Sequence, residues 1–477
     1  MTSRARDAVV VGSGPNGLAA AITLAQAGRS VVVLEAAATP GGGMRSAELT
    51  LPGFVHDVCS STHPLARASP FFARLELERR GVTWVEPPIE LAHPLDDGST
   101  ACLTRDLQTT AATLGPDGMA YRRLLGPIVD AWPSLIEDIL APFHVPLRPD
   151  RALRLARFGL LGLQPATWLA RRFDGALARA VLAGCAAHST IAQDEPVTAA
   201  YALLFLGSVH AVGWPIVRGG SGRLAEALVE LLAALGGEVV TERRVERLDD
   251  LPPHRAVLFD LTPRQVLAIA GDRLGGGYSR RLRGYRYGSG VFKVDLALDG
   301  PIPWRDPLLG SAGTVHLGGT FEEIAASEAQ IQAGRVPARP FVLLAQHSLF
   351  DPTRAPPGRH TVWAYCHVPN GARVDMTERI LDQVERFAPG MRDRIIGRHT
   401  MSPAELEAYN PNYVGGDING GRQDLGQLFT RPAIRLDPYT TPDPSIFLCS
   451  SATPPGGGVH GMCGHLAARS ALRHVLQ

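Results

Sequence analysis

The stretch Ala8–Glu35, AVVVGSGPNGLAAAITLAQAGRSVVVLE, decides the fold of this chain. It begins with an apolar, β-branched run, breaks at a glycine turn, continues through helix-forming residues from Pro15 to Ala27, and returns to a second β-branched run at Val31–Leu34. Strand, turn, helix and strand in that order make one βαβ unit. Gly12, Gly14 and Gly17 stand where a dinucleotide fingerprint needs them. The first permits the tight turn, the second lets the backbone approach a pyrophosphate, and the third lets helix and strand pack closely. The helix start leaves free N–H groups and a positive dipole end for phosphates, with Ser13 and Asn16 as further contacts in the same loop. Glu35 ends the second strand at the spacing where a carboxylate accepts hydrogen bonds from ribose hydroxyls and disfavours a 2′-phosphate.

A second glycine cluster follows at once, Pro40-Gly41-Gly42-Gly43-Met44-Arg45. From about Pro70 to Pro215 the pattern is mainly helical, in segments such as YRRLLGPIVDAWPSLIEDIL divided by Pro and Gly. The uncharged run Val197–Val217 has the length of a bilayer span, but His210, Gly213 and Pro215 interrupt it, so it reads as a buried core helix. Helix and strand return at SGRLAEALVELLAALGGEVVTERRVERL, and strand, glycine loop and helix close the chain at SIFLCSSATPPGGGVHGMCGHLAARSALRHVL. Strand-like runs at VFKVDLAL and FVLLAQHSL suggest a mixed sheet elsewhere. The expected fold is therefore α/β. A discontinuous Rossmann-type domain is drawn from residues 1–69, 216–290 and 431–477, and a second, mixed-sheet plus helical substrate domain from 70–215 and 291–430.

Composition narrows the function. A chain of 477 residues is long enough for two packed domains. A net charge of +1 gives no global field to attract nucleic acid. The six cysteines form no Cys-x-x-Cys pair, and the histidines, among them 56, 63, 188, 210, 347, 360, 367 and 460, lack metal-ligand spacing, so neither a redox disulfide nor a metal site is expected. The start MTSRARDAVVVGSG is too quickly broken by glycine to be a signal peptide, so a reducing cytoplasm is the expected compartment. Oligomeric state is not readable.

Several segments resemble the phytoene desaturase and flavin amine oxidase superfamily, and within it the phytoene-dehydrogenase-related branch. They are the two glycine clusters, DVCSSTHPLARASPFF at 57–72, NPNYVGGDINGG at 410–421 and CSSATPPGGGVHGMCG at 449–464. The resemblance covers essentially the whole chain and implies FAD as cofactor, an amine oxidase-like architecture and an oxidoreductase. It places Gly42, Gly43 and Arg45 along the FAD, Val245 by its backbone at the adenine, and Gly458, Val459, His460 and Met462 in a loop against the flavin ring. One departure matters: the superfamily often has Arg directly after the Gly-Gly pair, where this chain has Gly43. No second phosphate-binding fingerprint follows a later strand, so the implied electron acceptor is oxygen or a quinone.

Lys293 is the only lysine, and GSGVFKVDLALDGPIPW resembles the strand by which amine oxidases hold a lysine through water at flavin N5. Lys293 is thus either a catalytic residue or a lysine retained by chance. His460 is the other catalytic candidate, polarising the ring or capping its turn. Asn412, Tyr413 and Asp417 face the substrate or build a turn. DRALRLARFGLLGLQPATWLARRF, residues 150–173, alternates Arg with Leu, consistent with a solvated amphipathic helix or with peripheral membrane contact. The expected activity is hydride removal from a largely apolar small molecule to flavin N5, by desaturation or oxidation. The alternatives are a redox-neutral polyene isomerase and a non-catalytic binding protein.

Overall fold

The computed structural model describes residues 5–477; residues 1–4 of the basic start lie outside it. β1 (Arg6–Val11), α1 (Pro15–Gln26) and β2 (Val31–Leu34) form the βαβ unit. The antiparallel pair β3 (Ser46–Glu48) and β4 (Val55–Asp57) carries the chain away from it. The next segment holds β5 (Trp84–Val85), β6 (Ile89–Pro94) and β7 (Thr100–Leu103), then the helices α2 (Gly118–Ile139), α3 (Pro149–Gly162), α4 (Ala176–Ala187) and α5 (Thr198–Val212). After β8 (Ile216–Val217) and α6 (Gly222–Ala234) come β9 (Glu238–Val240) and β10 (His254–Phe259). β11 (Gly290–Leu298), β12 (Ala312–Leu317), β13 (Val342–Ala345), β14 (His360–Val368) and β15 (Ile395–Met401) follow, and β16 (Ile446–Leu448) and α7 (Met462–His474) close the chain.

One sheet has five parallel strands in the order β16-β10-β1-β2-β9. β2 is buried on both faces, which is why Val31–Leu34 reads as a continuous apolar run instead of an alternating one. α1 is buried from Asn16 to Ala25 and packs against α6 and α7. A Cβ on Gly464 would lie 1.7 Å from the Asn16 carbonyl oxygen, so glycine alone lets α7 approach α1. The first sheet is thus assembled from the beginning, middle and end of the chain.

The second sheet has seven strands in the order β15-β11-β14-β13-β12-β6-β7, with β12 parallel to β6 and the other pairs antiparallel. One face, with Phe292, Val294, Val362 and Ala364, packs against the helix Thr377–Phe387. The other face, with Val291, Trp363 and Tyr365, joins the core that contains α1 and α5. β6 and β7 stand inside the mainly helical segment expected at residues 70–215. The run IELAHP is too short to show a period, and it becomes a strand through pairing with β12 far along the chain. α5 is a buried core helix, and among the described residues no helix is long and apolar enough to cross a membrane.

Candidate functional site

The site begins where β1 turns into α1. Gly12 adopts φ +99°, a conformation that favours glycine, and Gly14 caps the helix with no side chain of its own, while the Gly17 N–H in the first turn is taken by the Asp260 carboxylate. A Cβ on Gly17 would sit 2.1 Å from the Gly12 carbonyl oxygen, so this glycine serves helix–strand packing. The second glycine cluster rests directly on the first: a Cβ on Gly42 would lie 2.8 Å from the Gly14 Cα. Ser13 donates to Glu35 through its backbone N–H (2.9 Å) and its hydroxyl (2.5 Å), and the Arg45 guanidinium donates to the other Glu35 oxygen at 3.2 Å. The two clusters and the carboxylate therefore form one rigid wall.

That wall also explains the missing arginine after the Gly-Gly pair. A Cβ at Gly43 would lie 2.5 Å from the Tyr413 hydroxyl, so tyrosine occupies the space, and Arg45 reaches Glu35 from two positions further on.

A single cavity runs from this wall to the face of the second sheet. Gly12, Ser13, Gly14, Asn16, Glu35, Gly42, Gly43, Arg45, Val245, Gly458 and Val459 line it. At its far end stand Cys59, His188, Phe205, Trp214, Leu343, Trp363 and Tyr365, with no carboxylate among the lining residues there. His188 is neutral, because burial pushes its imidazole down to about 3. The far chamber is therefore apolar, aromatic and uncharged. Val245 follows the short strand β9 in irregular backbone and is not itself in a strand.

Gly17, Lys293, His460 and Met462 do not line the cavity. Lys293 is buried on β11, where its ammonium is ion-paired to Asp295 and faces the Trp363 ring at 6.0 Å. Burial would raise Asp295, but Lys293, with His399 and His56, holds it below the usual carboxylate range. Lys293 thus lies on the same face of the sheet as Trp363 and Tyr365, beside them, without lining the cavity. His460 accepts the Met462 N–H through Nδ1 at 3.0 Å and so caps α7, and burial keeps its imidazole down at about 4. Asp417 accepts N–H groups from Gly288, Asn419 and Gly421, the work of a turn organiser.

Three features escaped the sequence reading. Asp260, just after β10, accepts the Gly17 N–H at 2.9 Å, lines the cavity, and is pushed up to about 8 chiefly by burial. Asn412 donates to the Asp260 backbone carbonyl at 2.9 Å and so fastens the 410–421 segment to the dinucleotide loop, while Ile418 and Asn419 of the same segment line the cavity. Third, Ser61 in the cavity wall hydrogen-bonds His347, next to a fully buried Asp57–Arg354–Asp351 cluster. Asp57 is held well below the usual carboxylate range because Arg354 and His347 outweigh its burial.

Fold and fingerprint, with the relationships below, define an oxidoreductase of Rossmann type. A family model described as an NAD(P)-binding Rossmann-like domain matches residues 10–75. The chain's homologues include the pyridine nucleotide-disulfide oxidoreductase domain-containing protein 2 of Mus musculus, 26% identical over 98% of this chain and 94% of that protein. They also include the lycopene-forming phytoene desaturase of Pseudescherichia vulneris, 26% identical over 97% of this chain and 98% of the relative. Among solved structures, putrescine oxidase bound to putrescine shares the fold, with a TM-score of 0.62, 18% identity and 98% of each chain covered.

Proposed function

We propose that the chain is an FAD-dependent oxidoreductase that removes a hydride from an uncharged, largely apolar organic substrate. The observation that carries this reading is the unbroken cavity from the fingerprint wall to the uncharged aromatic chamber. The residues present fit FAD. Gly14 puts no side chain of its own between the start of α1 and a pyrophosphate, Glu35 lies in the wall where ribose hydroxyls would meet it, and Val245 would offer its backbone to the adenine. When bound there, FAD would supply the two-electron acceptor for a C–H bond.

The protein's own part is positioning. Phe205, Trp214, Leu343, Trp363 and Tyr365 exclude water and hold an apolar chain by contact area. No carboxylate in the far chamber compensates a cationic substrate, which favours a neutral hydrocarbon over a protonated amine. Lys293, beside Trp363, would act as a positioning charge on the reduced cofactor's reaction with oxygen or a quinone. The test is anaerobic mixing of the yellow protein with polyenes and with amines while following flavin absorbance. Bleaching by polyenes is expected. Loss of colour with amines alone would refute the neutral-substrate reading, and a protein that binds no FAD would refute the whole.

A further inference from the structure

Fifteen large hydrophobic side chains are exposed among the described residues, and they are not scattered. Seven lie between residues 143 and 168: Phe143, Val145, Leu147, Leu153, Leu160, Leu163 and Trp168. Four more, Leu425, Phe429, Ile434 and Leu436, fall in a second segment. The rings of Phe143 and Phe429 meet edge-on at 5.9 Å, which joins the two. Apolar surface concentrated in this way marks a docking face.

The same face is basic. Between 143 and 172 the sequence carries arginines at 148, 151, 154, 157, 171 and 172 against the single acid Asp150, in a chain whose net charge is only +1. Arg151 is neutralised by Asp138 and Glu137, and Arg148 and Arg154 share Asp150. Arg157 and Arg171 are exposed. α3 is the centre of this surface: only Phe158 and Gly162 are buried, while Leu153, Arg157 and Leu160 recur at helical spacing along one exposed stripe.

We propose that this face docks peripherally on the surface of an anionic phospholipid bilayer. A stripe that interleaves leucine with arginine suits an interface that offers acyl chains and phosphates together, the arginine stems lying along apolar surface with their heads in the phosphate layer. A protein partner would need carboxylates set between apolar pockets at the same repeat. The face also adjoins the substrate chamber. The end of α3 packs on α5, where a Cβ at Gly162 would lie 3.0 Å from the Ala200 Cβ. Phe205 of α5 lines the cavity, and Tyr201 donates to Gln423 at 2.8 Å, beside the second exposed segment. An apolar substrate leaving a bilayer at this face would have one helix between itself and the chamber. The docking claim rests on the surface alone and does not need the flavin reading to hold.

The experiment is flotation of the full-length protein with vesicles of pure phosphatidylcholine and with vesicles containing about one quarter phosphatidylglycerol, at about 0.1 M and about 0.5 M salt. Binding to the anionic vesicles at low salt, weakened at high salt, is expected. The exposed double substitution F143S/L147S should reduce it about tenfold, and R154Q/R157Q should remove the preference for anionic lipid. No binding to anionic vesicles, or unchanged binding in both variants, would overturn the proposal. So would a dimer in solution that F143S/L147S converts to monomer, since the face would then be covered by a second copy.

Discussion

Asp260 offers the sharpest test of the dinucleotide loop. Its carboxyl is buried against the start of α1, accepts the Gly17 N–H, has no cation paired with it, and senses Glu35 as a like charge. Burial is the main cause of its rise from 3.8 to about 8. Below pH 3.8 the group is protonated in both folded and unfolded chains. Between the two values the folded protein keeps a proton that the unfolded chain has released, so this contribution to stability declines with rising pH and is gone above about 8. At about 1.4 kcal/mol per pH unit the full span is worth at most about 6 kcal/mol. Asp260→Asn keeps an acceptor for the Gly17 N–H and cannot ionise, so it should remove this dependence. Unfolding entropy of about 2 cal/mol/K per residue gives roughly 1 kcal/mol per degree for a chain of this size, so the variant's melting temperature should gain on the wild type by up to about 4 °C between pH 5 and pH 9, where about three pH units of the span fall. Parallel melting profiles for the two proteins over that range would refute the reasoning. Because a pyrophosphate at the same helix start adds negative charge, FAD should also be released more readily above pH 8 in the wild type than in the variant.

Gly14→Val should abolish FAD binding, because its Cβ alone would lie 2.6 Å from Asp260 Oδ2 and the branches would block the pyrophosphate path; stoichiometric flavin in the folded variant would show the phosphates misplaced. Lys293→Met leaves Asp295 buried without its cation and should cost about 3–5 kcal/mol, which Lys293→Met with Asp295→Asn largely restores. In that double variant flavin content should survive while reoxidation by oxygen, followed by stopped flow, slows by up to about a hundredfold; an unchanged rate would leave Lys293 structural. Arg354→Leu strands both Asp57 and Asp351 in the core and should destabilise by a similar 3–5 kcal/mol, read as a fall of several degrees in melting temperature at pH 7.

What could be read from the sequence is what acts on its own neighbours. The three glycines, Glu35 and the βαβ unit announce themselves because turn, phosphate approach and strand pairing lie within about thirty residues. The strands β6 and β7 do not, since IELAHP has no period of its own and takes its conformation from β12. Asp260 was invisible for the same reason at greater range: it stands 243 positions from the Gly17 N–H it accepts, and nothing in LFDLTP marks that aspartate as part of the fingerprint. Lys293 shows the opposite failure. Its solitude in the sequence drew attention to it, yet solitude carries no direction, and only β11 reveals that its ammonium is paired with Asp295 beside Trp363 and does not line the cavity. The glycine at position 43 looked like a loss of family chemistry until Tyr413, from the far 410–421 segment, was found filling the place of its side chain. Each of these distant contacts joins the dinucleotide loop or the cavity wall to a part of the chain that enters the fold much later. The cavity, as a joint product of both sheets, can therefore exist only once the second sheet has closed over the first.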